Sequence, residues 1–127
     1  MRKRLLVAVA LPVFLLLVIG CSGSGTTQLG TPIPSDAQVT TLGAVLASAG
    51  EYNGKEVVIS GRVSGQCPSL CEFFLRDGVH TATIFPQGYA FPKLETGRPV
   101  TVYAAVTAGS HNVVLSALGV RLEKETP

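Results

Sequence analysis

The segment YNGKEVVISGRV, residues 52–63, decides the fold of this chain. From Lys55 its side chains repeat with a period of two, which is the period of a β-strand. Four of these residues share one face: Val57, Ile59, Gly61 and Val63. A glycine inside a strand indicates a bulge or a sharp coil. The segment therefore predicts a first β-strand that departs from a straight course at Gly61.

Four further segments have the pattern of β-strands. They cover residues 72–76, 79–85, 99–107 and 113–122. The dipeptide Asp77-Gly78 predicts a hairpin turn between the first two, and a turn over 109–112 joins the last two. Residues 86–96 form a connector with room for a short helical turn. Five short strands with closely spaced turns predict a small barrel or sandwich.

A short helix is predicted before the first strand. Apolar residues recur on one helical face of the segment 39–50, at Val39, Leu42, Val45, Leu46 and Ala49. Thr40 or Thr41 is suited to cap the start of this helix, and Gly50 is suited to end it. We expect the helix to pack across one end of the sheet.

The beginning of the chain has the layout of a secretory signal. Residues 2–4 are basic, and residues 5–19 are an apolar run of 15 residues. A membrane-spanning helix needs about 20 apolar residues, so this run is short for a stable span. The run LVIGC, residues 17–21, resembles a bacterial lipobox.

The lipobox resemblance implies a lipoprotein. Residues 1–20 would be a signal peptide that is removed, and Cys21 would carry acyl chains such as palmitate. Two or more chains anchor a protein stably. The mature protein would then be held at the cell membrane or the outer membrane, facing the extracytoplasmic side. An uncleaved anchor helix with a coincidental cysteine is the alternative.

Removing the signal changes the charge of the chain. The formal net charge is +2, but three of the ten basic residues lie in the signal. Seven basic residues then face eight acidic ones, a balance of −1. A basic domain of the kind that binds nucleic acid is therefore not expected.

The mature chain divides into three parts. Residues 21–38 are rich in Ser, Gly, Thr and Pro, which predicts a flexible linker behind the lipidated cysteine. Residues 39–123 are the predicted domain, large enough for a single core, and residues 124–127 are a tail. No internal repeat is present.

Assigning Cys21 to a lipid leaves Cys67 and Cys71 as a pair. An oxidising compartment favours a disulfide between them. A metal site is the second possibility, with His80 or His111 completing it, because thiolates bind Cu(I) or zinc. A catalytic dithiol is the third, although the two-residue spacing typical of such sites is missing.

The pattern Y-x-G-K-x-V-x-x-x-G-x-V of residues 52–63 resembles the opening strand of OB-fold domains. The segments FLRDG, residues 74–78, and GRPVTV, residues 97–102, fit the second and fourth strands of that fold. The chain is similar over 39–122 to small extracytoplasmic OB-like domains of bacteria, several of which have a cysteine pair after strand one. The resemblance implies a mainly β fold, a five-stranded OB-like barrel with a short N-terminal helix.

The resemblance also implies a ligand surface. In OB folds it is formed by the loop between strands one and two and by the face of strands two and three. The residues expected there are Phe74, Arg76, His80 and Tyr103. Single-strand binding needs aromatic platforms in a basic groove, and the balance of −1 argues against nucleic acid as a partner.

No catalytic constellation, and so no enzymatic activity, is expected from the sequence, and no cofactor is implied. The function that it favours is a membrane-tethered, non-enzymatic binding or accessory module of the cell envelope, with an envelope protein or a small ligand as partner. The alternative is a metal- or thiol-handling envelope protein that uses Cys67 and Cys71. Single-stranded nucleic-acid or oligosaccharide binding is the third and least favoured hypothesis.

Overall fold

A computed structural model describes residues 26–124 of the protein. This part of the chain contains seven strands and two short helices: β1 Thr27–Gly30, β2 Gln38–Thr40, α1 Leu42–Ala47, α2 Ala49–Tyr52, β3 Glu56–Gln66, β4 Phe73–Asp77, β5 His80–Pro86, β6 Pro99–Ala108 and β7 Val113–Leu122. The predicted signal peptide 1–20 and Cys21 lie outside the described residues.

Five strands close into a barrel in the order β3, β4, β5, β7, β6 and back to β3. All pairs are antiparallel except β5 and β7, which run parallel. Closure leaves the barrel strands without an unpaired edge through most of their length. The arrangement confirms the mainly β, OB-like barrel, and the five predicted strands correspond to β3–β7.

The core fills the inside of this barrel. On β6 alternate residues face the core, since Val100, Val102, Ala104 and Val106 are all buried there. Contacts from the other strands complete it, and the largest fully buried side chains include Phe73, Ile59, Leu75, Ile84 and Leu115. Phe91 and Leu94 of the connector also join the core, so the connector is packed on the barrel although it contains no helical turn.

The predicted cap at Thr41 is confirmed, but the placement of Val39 and the end of the helical segment differ from the prediction. Val39 lies in β2, which pairs in parallel with β3, and its side chain is 76% exposed. The helix starts one residue after Thr41, whose hydroxyl accepts a hydrogen bond from the backbone N–H of Ala44 at 3.1 Å. Gly50 does not end the helix. It lies inside α2, and the chain turns instead at Gly54, where φ is +78°.

The prediction that the helical segment packs across one end of the sheet is correct for α1. Leu42 and Val45 are fully buried in the core. The backbone N–H of Leu42 donates to Oδ2 of Asp77 at 3.1 Å, which fixes α1 at the β4–β5 turn. None of the helices within residues 26–124 is long and apolar enough to cross a membrane.

Strand β1 lies inside the segment predicted as a flexible linker, and the structure differs from that prediction here. Thr27–Gly30 pairs antiparallel with β7, from Thr27 opposite Leu122 to Gly30 opposite Gly119. Because Gly119 has no side chain, the carbonyl oxygen of Thr31 can lie 1.8 Å from the position that a Cβ would take. Backbone pairing with β7 therefore orders a segment that its composition alone would leave unstructured.

Candidate functional site

A β-bulge in β3 sets the register of the candidate site. Gly65 lies opposite Phe74, and Val63 lies opposite Leu75. Ser64 is therefore the extra residue of the bulge. The bulge predicted at Gly61 is therefore wrong in position. A one-residue shift moves side chains to the other face of a strand. The bulge thereby keeps Val63 and Leu75 inside the barrel and places the next pair, Gly65 and Phe74, on the outside.

Gly61 has a different role, which is close backbone approach. A Cβ at this position would lie 2.5 Å from the carbonyl oxygen of Arg76 and 2.8 Å from Cδ1 of Leu75. Real Cβ atoms do not approach a carbonyl so closely. The glycine thus lets the backbone of β4 approach β3 closely at the point where the candidate site begins.

A cleft of about 710 Å³ lies on the outer face of β3 and β4. Its walls come from β3, from the β4–β5 turn and from the segment before β6, and they include Ser60, Arg62, Ser64, Arg76, Gly78, Thr96, Gly97 and Pro99. Two backbone hydrogen bonds hold the far wall in place: Gly97 donates to Val63 at 2.7 Å, and Val63 donates to Arg98 at 3.0 Å.

Two arginines line this cleft, and Arg62 and Arg76 are direct cross-strand neighbours in the β3–β4 register. Nη1 of Arg62 donates to the carbonyl oxygen of Gly97 at 2.8 Å. Nε of Arg76 donates to the carbonyl oxygen of Gly78 at 3.2 Å. Both side chains are therefore oriented by backbone carbonyls.

Within residues 26–124, no carboxylate forms an ion pair with Arg62 or Arg76. Asp77 is the acidic residue in the cleft lining, and its Oδ2 accepts the hydrogen bond from Leu42. The cleft consequently has a local excess of positive charge, although residues 21–127 have a charge balance of −1.

The four residues predicted to bind a ligand do not lie together. Phe74 is half-buried on the same outer face, with its ring against Gly65, and Arg76 lies in the cleft. His80 is exposed at the β4–β5 turn, where it pairs with Asp77. Its ring lies over Gly43 of α1, where a Cβ would approach Nε2 to 2.8 Å.

Tyr103 does not line the cleft. It is opposite Val58 in the β3–β6 register, four residues along β3 from the cleft residue Arg62. The side chain is only 7% exposed, and its hydroxyl donates to Oε2 of Glu56. This hydrogen bond raises the pKa of Tyr103. Tyr103 therefore has a structural partner outside the cleft that contains Arg76.

The two cysteines lie in the loop between β3 and β4, where the sequence placed them. The loop is closed by a hydrogen bond from the N–H of Cys67 to Glu72 at 3.1 Å. A turn within it brings the N–H of Leu70 to the carbonyl of Cys67 at 2.8 Å. Leu70 has φ of +61°, which is unusual for a residue with a branched side chain.

Both thiols are free in this structure, and Ser69 lies between them. The Ser69 hydroxyl is 3.2 Å from Sγ of Cys67 and 3.3 Å from Sγ of Cys71. The hydrogen bond with Ser69 lowers the pKa of the Cys67 thiol, because a hydroxyl donor stabilises the thiolate. The pair thus lies in a loop that is already held by backbone hydrogen bonds.

A third potential metal ligand lies beside the thiols, and it is Glu72 rather than a histidine. Ligand atoms of Cys67, Cys71 and Glu72 all lie within 4.8 Å of one another. His80 is at the opposite end of β4, and His111 lies in the turn before β7, so the structure does not bring either into this group.

Several cleft residues were missed by the ligand-site prediction. Arg62 lies on the outward face of the alternating pattern of β3, and that was a usable signal. The partnership of Arg62 with Arg76 depends on the bulge at Ser64, and the contribution of Gly97 depends on the path of the connector. The local sequence pattern predicts neither the Arg62–Arg76 pairing nor the position of Gly97.

The fold and the cleft together define a small OB-like barrel with a charged cleft on its outer face. No family model matches the chain, and no curated protein matches it. Among solved structures, 21 chains match it. One is a crystal structure described as an aspartyl-tRNA synthetase from Leishmania major Friedlin, with a TM-score of 0.58 and 18% identity. The match covers 77% of this chain and 24% of that one, and at this identity it shows the fold alone.

Proposed function

We propose that the protein is a membrane-tethered extracytoplasmic lipoprotein and acts as a non-enzymatic binding module of the cell envelope. The cleft on the outer face of β3 and β4 is its ligand site. The lipid-anchor part of this proposal rests on the basic residues, the apolar run and the LVIGC segment that ends at Cys21. The binding part rests on the structure.

One observation carries the binding role, which is the cleft itself. It has a volume of about 710 Å³ and contains two arginines without a carboxylate partner in the described chain. Its walls belong to β3, the β4–β5 turn and the segment before β6, so it shares only β4 with the face that OB folds commonly use for ligands. Pockets with a few convergent polar groups are the usual form of ligand sites.

Replacing Cys21 with alanine is expected to abolish lipid attachment and membrane retention. The Sγ atom of Cys21 would form the bond to the lipid, and alanine offers no equivalent nucleophile. Metabolic labelling with a palmitate analogue, followed by membrane fractionation, measures both effects. Cys71→Ala serves as the matched control and should leave labelling unchanged. A Cys21→Ala protein that is still labelled and cut at the same bond would refute the lipoprotein proposal.

A second function is favoured by the clustering of Cys67, Cys71 and Glu72, whose ligand atoms lie within 4.8 Å of one another. Two thiolates and a carboxylate are ligands that zinc accepts in proteins. In this alternative the protein would handle metal or thiols at the envelope through the β3–β4 loop, and the barrel would serve as its scaffold.

The state of the two thiols distinguishes these functions. For the binding module we expect Cys67 and Cys71 to form a disulfide in protein isolated without reductant, so its intact mass is two hydrogen atoms below that of the reduced protein. Thiol counting and elemental analysis of the same sample complete the measurement, with Cys71→Ser as the control that cannot close the bond. Retained zinc with two reactive thiols, lost in Glu72→Gln, would instead establish the metal-handling function.

A further inference from the structure

Arg62 and Arg76 form a pair of like charges that the fold itself brings together. Their Cα atoms are direct cross-strand partners, and both side chains are on the outer face. Side chains in such positions have Cβ atoms about 4.5–5.5 Å apart, and like charges placed there destabilise a sheet. No carboxylate within residues 26–124 forms an ion pair with either of them. An anion bound between the two guanidinium groups would remove this repulsion.

The two guanidinium groups are held by hydrogen bonds that leave most of their donors unused. Each arginine has five N–H donors. Arg62 uses Nη1 on Gly97, and Arg76 uses Nε on Gly78. The carbonyl contacts thus orient both side chains in the cleft lining, and their remaining N–H groups are available to a ligand bound beside them.

We propose that this cleft binds a ligand through a phosphate monoester group, whose oxygens accept hydrogen bonds from Arg62 and Arg76. The inference deepens the proposed binding function and rests on it. A phosphate monoester has a charge of about −1.5 to −2 near neutral pH and three strong acceptor oxygens, which matches two guanidinium groups. A carboxylate has half that charge and fewer acceptor oxygens, so it would leave one arginine uncompensated.

The remaining cleft walls fit the body of such a ligand. Ser60, Ser64 and Thr96 add hydroxyl groups near the arginines, and the ring of Pro99 adds an apolar surface. The aliphatic stems of arginine side chains also pack against apolar groups. A lipid phosphodiester has a single negative charge, so the match in charge favours a soluble monoester over a membrane headgroup.

The test uses the purified full chain in non-ionic detergent, with phenyl phosphate as the probe. Titration is followed through the Nε–Hε signals of the arginines in nitrogen–proton NMR spectra and through the melting temperature. We expect the signals of Arg62 and Arg76 to shift saturably. Either Arg62→Gln or Arg76→Gln should weaken the apparent affinity by about tenfold to hundredfold, the range expected for loss of a charged hydrogen bond.

Three controls separate specific binding from general effects. Lys55→Gln removes one exposed positive charge at the far end of β3 and should bind as the unaltered protein does. Benzoate, which has the same ring but one negative charge, should bind at least about tenfold more weakly, because one charged contact is lost. Lowering the pH to about 5 should weaken phenyl phosphate binding, because the second phosphate pKa is about 6 and the ligand then loses its second negative charge.

The proposal is overturned if phenyl phosphate moves neither arginine signal, or if Arg62→Gln/Arg76→Gln and Lys55→Gln bind it equally well. Binding of phosphatidylglycerol vesicles through the same arginines, without a response to phenyl phosphate, would also overturn it in favour of a lipid diester. A failed titration leaves the Cys21→Ala labelling result unaffected, so failure of this inference is distinguishable from failure of the proposed function.

Discussion

Replacing Phe73 with alanine is expected to lower the free energy of unfolding by about 3–5 kcal/mol, the range for removing a fully buried aromatic side chain. Phe73 opens β4 and is fully buried inside the barrel. Its ring meets that of Phe91 edge to face, with centroids 5.0 Å apart. The substitution therefore leaves a cavity and removes one of the contacts that hold the connector against the barrel.

The measurement is thermal unfolding of the purified protein followed by circular dichroism. For a domain of about 100 residues, a loss of this size lowers the melting temperature by at least about 12 °C. Phe85→Ala is the matched control, because Phe85 lies on the neighbouring strand but is 38% exposed and outside the core. A similar small shift in both variants would show that the ring of Phe73 does not support the barrel.

The barrel strands could be predicted because their signal is local. In β6 every second residue from Val100 to Val106 is apolar, and the structure places all four of them in the core. Strand β7 begins and ends where the pattern placed it, at Val113 and Leu122. Alternation works here because each of these strands has one face in the core, so burial selects apolar residues at a period of two.

The segments before the barrel were harder to predict because their structure depends on distant partners. Val39 fits the apolar face of a helix, yet it lies in β2 because the chain there pairs with β3. Thr27–Gly30 has no alternating pattern, and its strand is formed by pairing with β7. The sequence signal for this pairing is on the partner strand β7, where Gly119 leaves room for the backbone of Thr31.

The candidate site was predictable only in part. The sequence placed Phe74 and Arg76 on an OB-like ligand face, and the structure brings them to the same face of β4. It also grouped His80 and Tyr103 with them, and neither of these lines the cleft that contains Arg76. Arg62 becomes the neighbour of Arg76 only through the bulge at Ser64. A bulge changes strand register without requiring a particular local residue, so periodicity could not locate it.

Replacing Gly61 with alanine is expected to destabilise the protein by about 1–3 kcal/mol, the usual effect of adding atoms to a tightly packed site. The new Cβ would lie 2.5 Å from the carbonyl oxygen of Arg76, which belongs to the backbone and cannot rotate away. Strand β4 must therefore move away from β3. Because Arg76 is on the displaced strand, its distance from Arg62 should also change.

Gly50→Ala provides the matched control, since no atom lies within 4 Å of the position that its Cβ would take and the residue is within α2. Alanine should there stabilise the helix by about 0.5–1 kcal/mol, because it loses less backbone entropy than glycine on folding. Denaturant unfolding of the two variants should therefore give shifts of opposite sign. Equal shifts in the free energy of unfolding would mean that the position of β4 does not depend on Gly61. Opposite shifts, with phenyl phosphate binding weakened only in Gly61→Ala, would show that the close approach of β4 to β3 supports both the barrel and the geometry of the arginine pair.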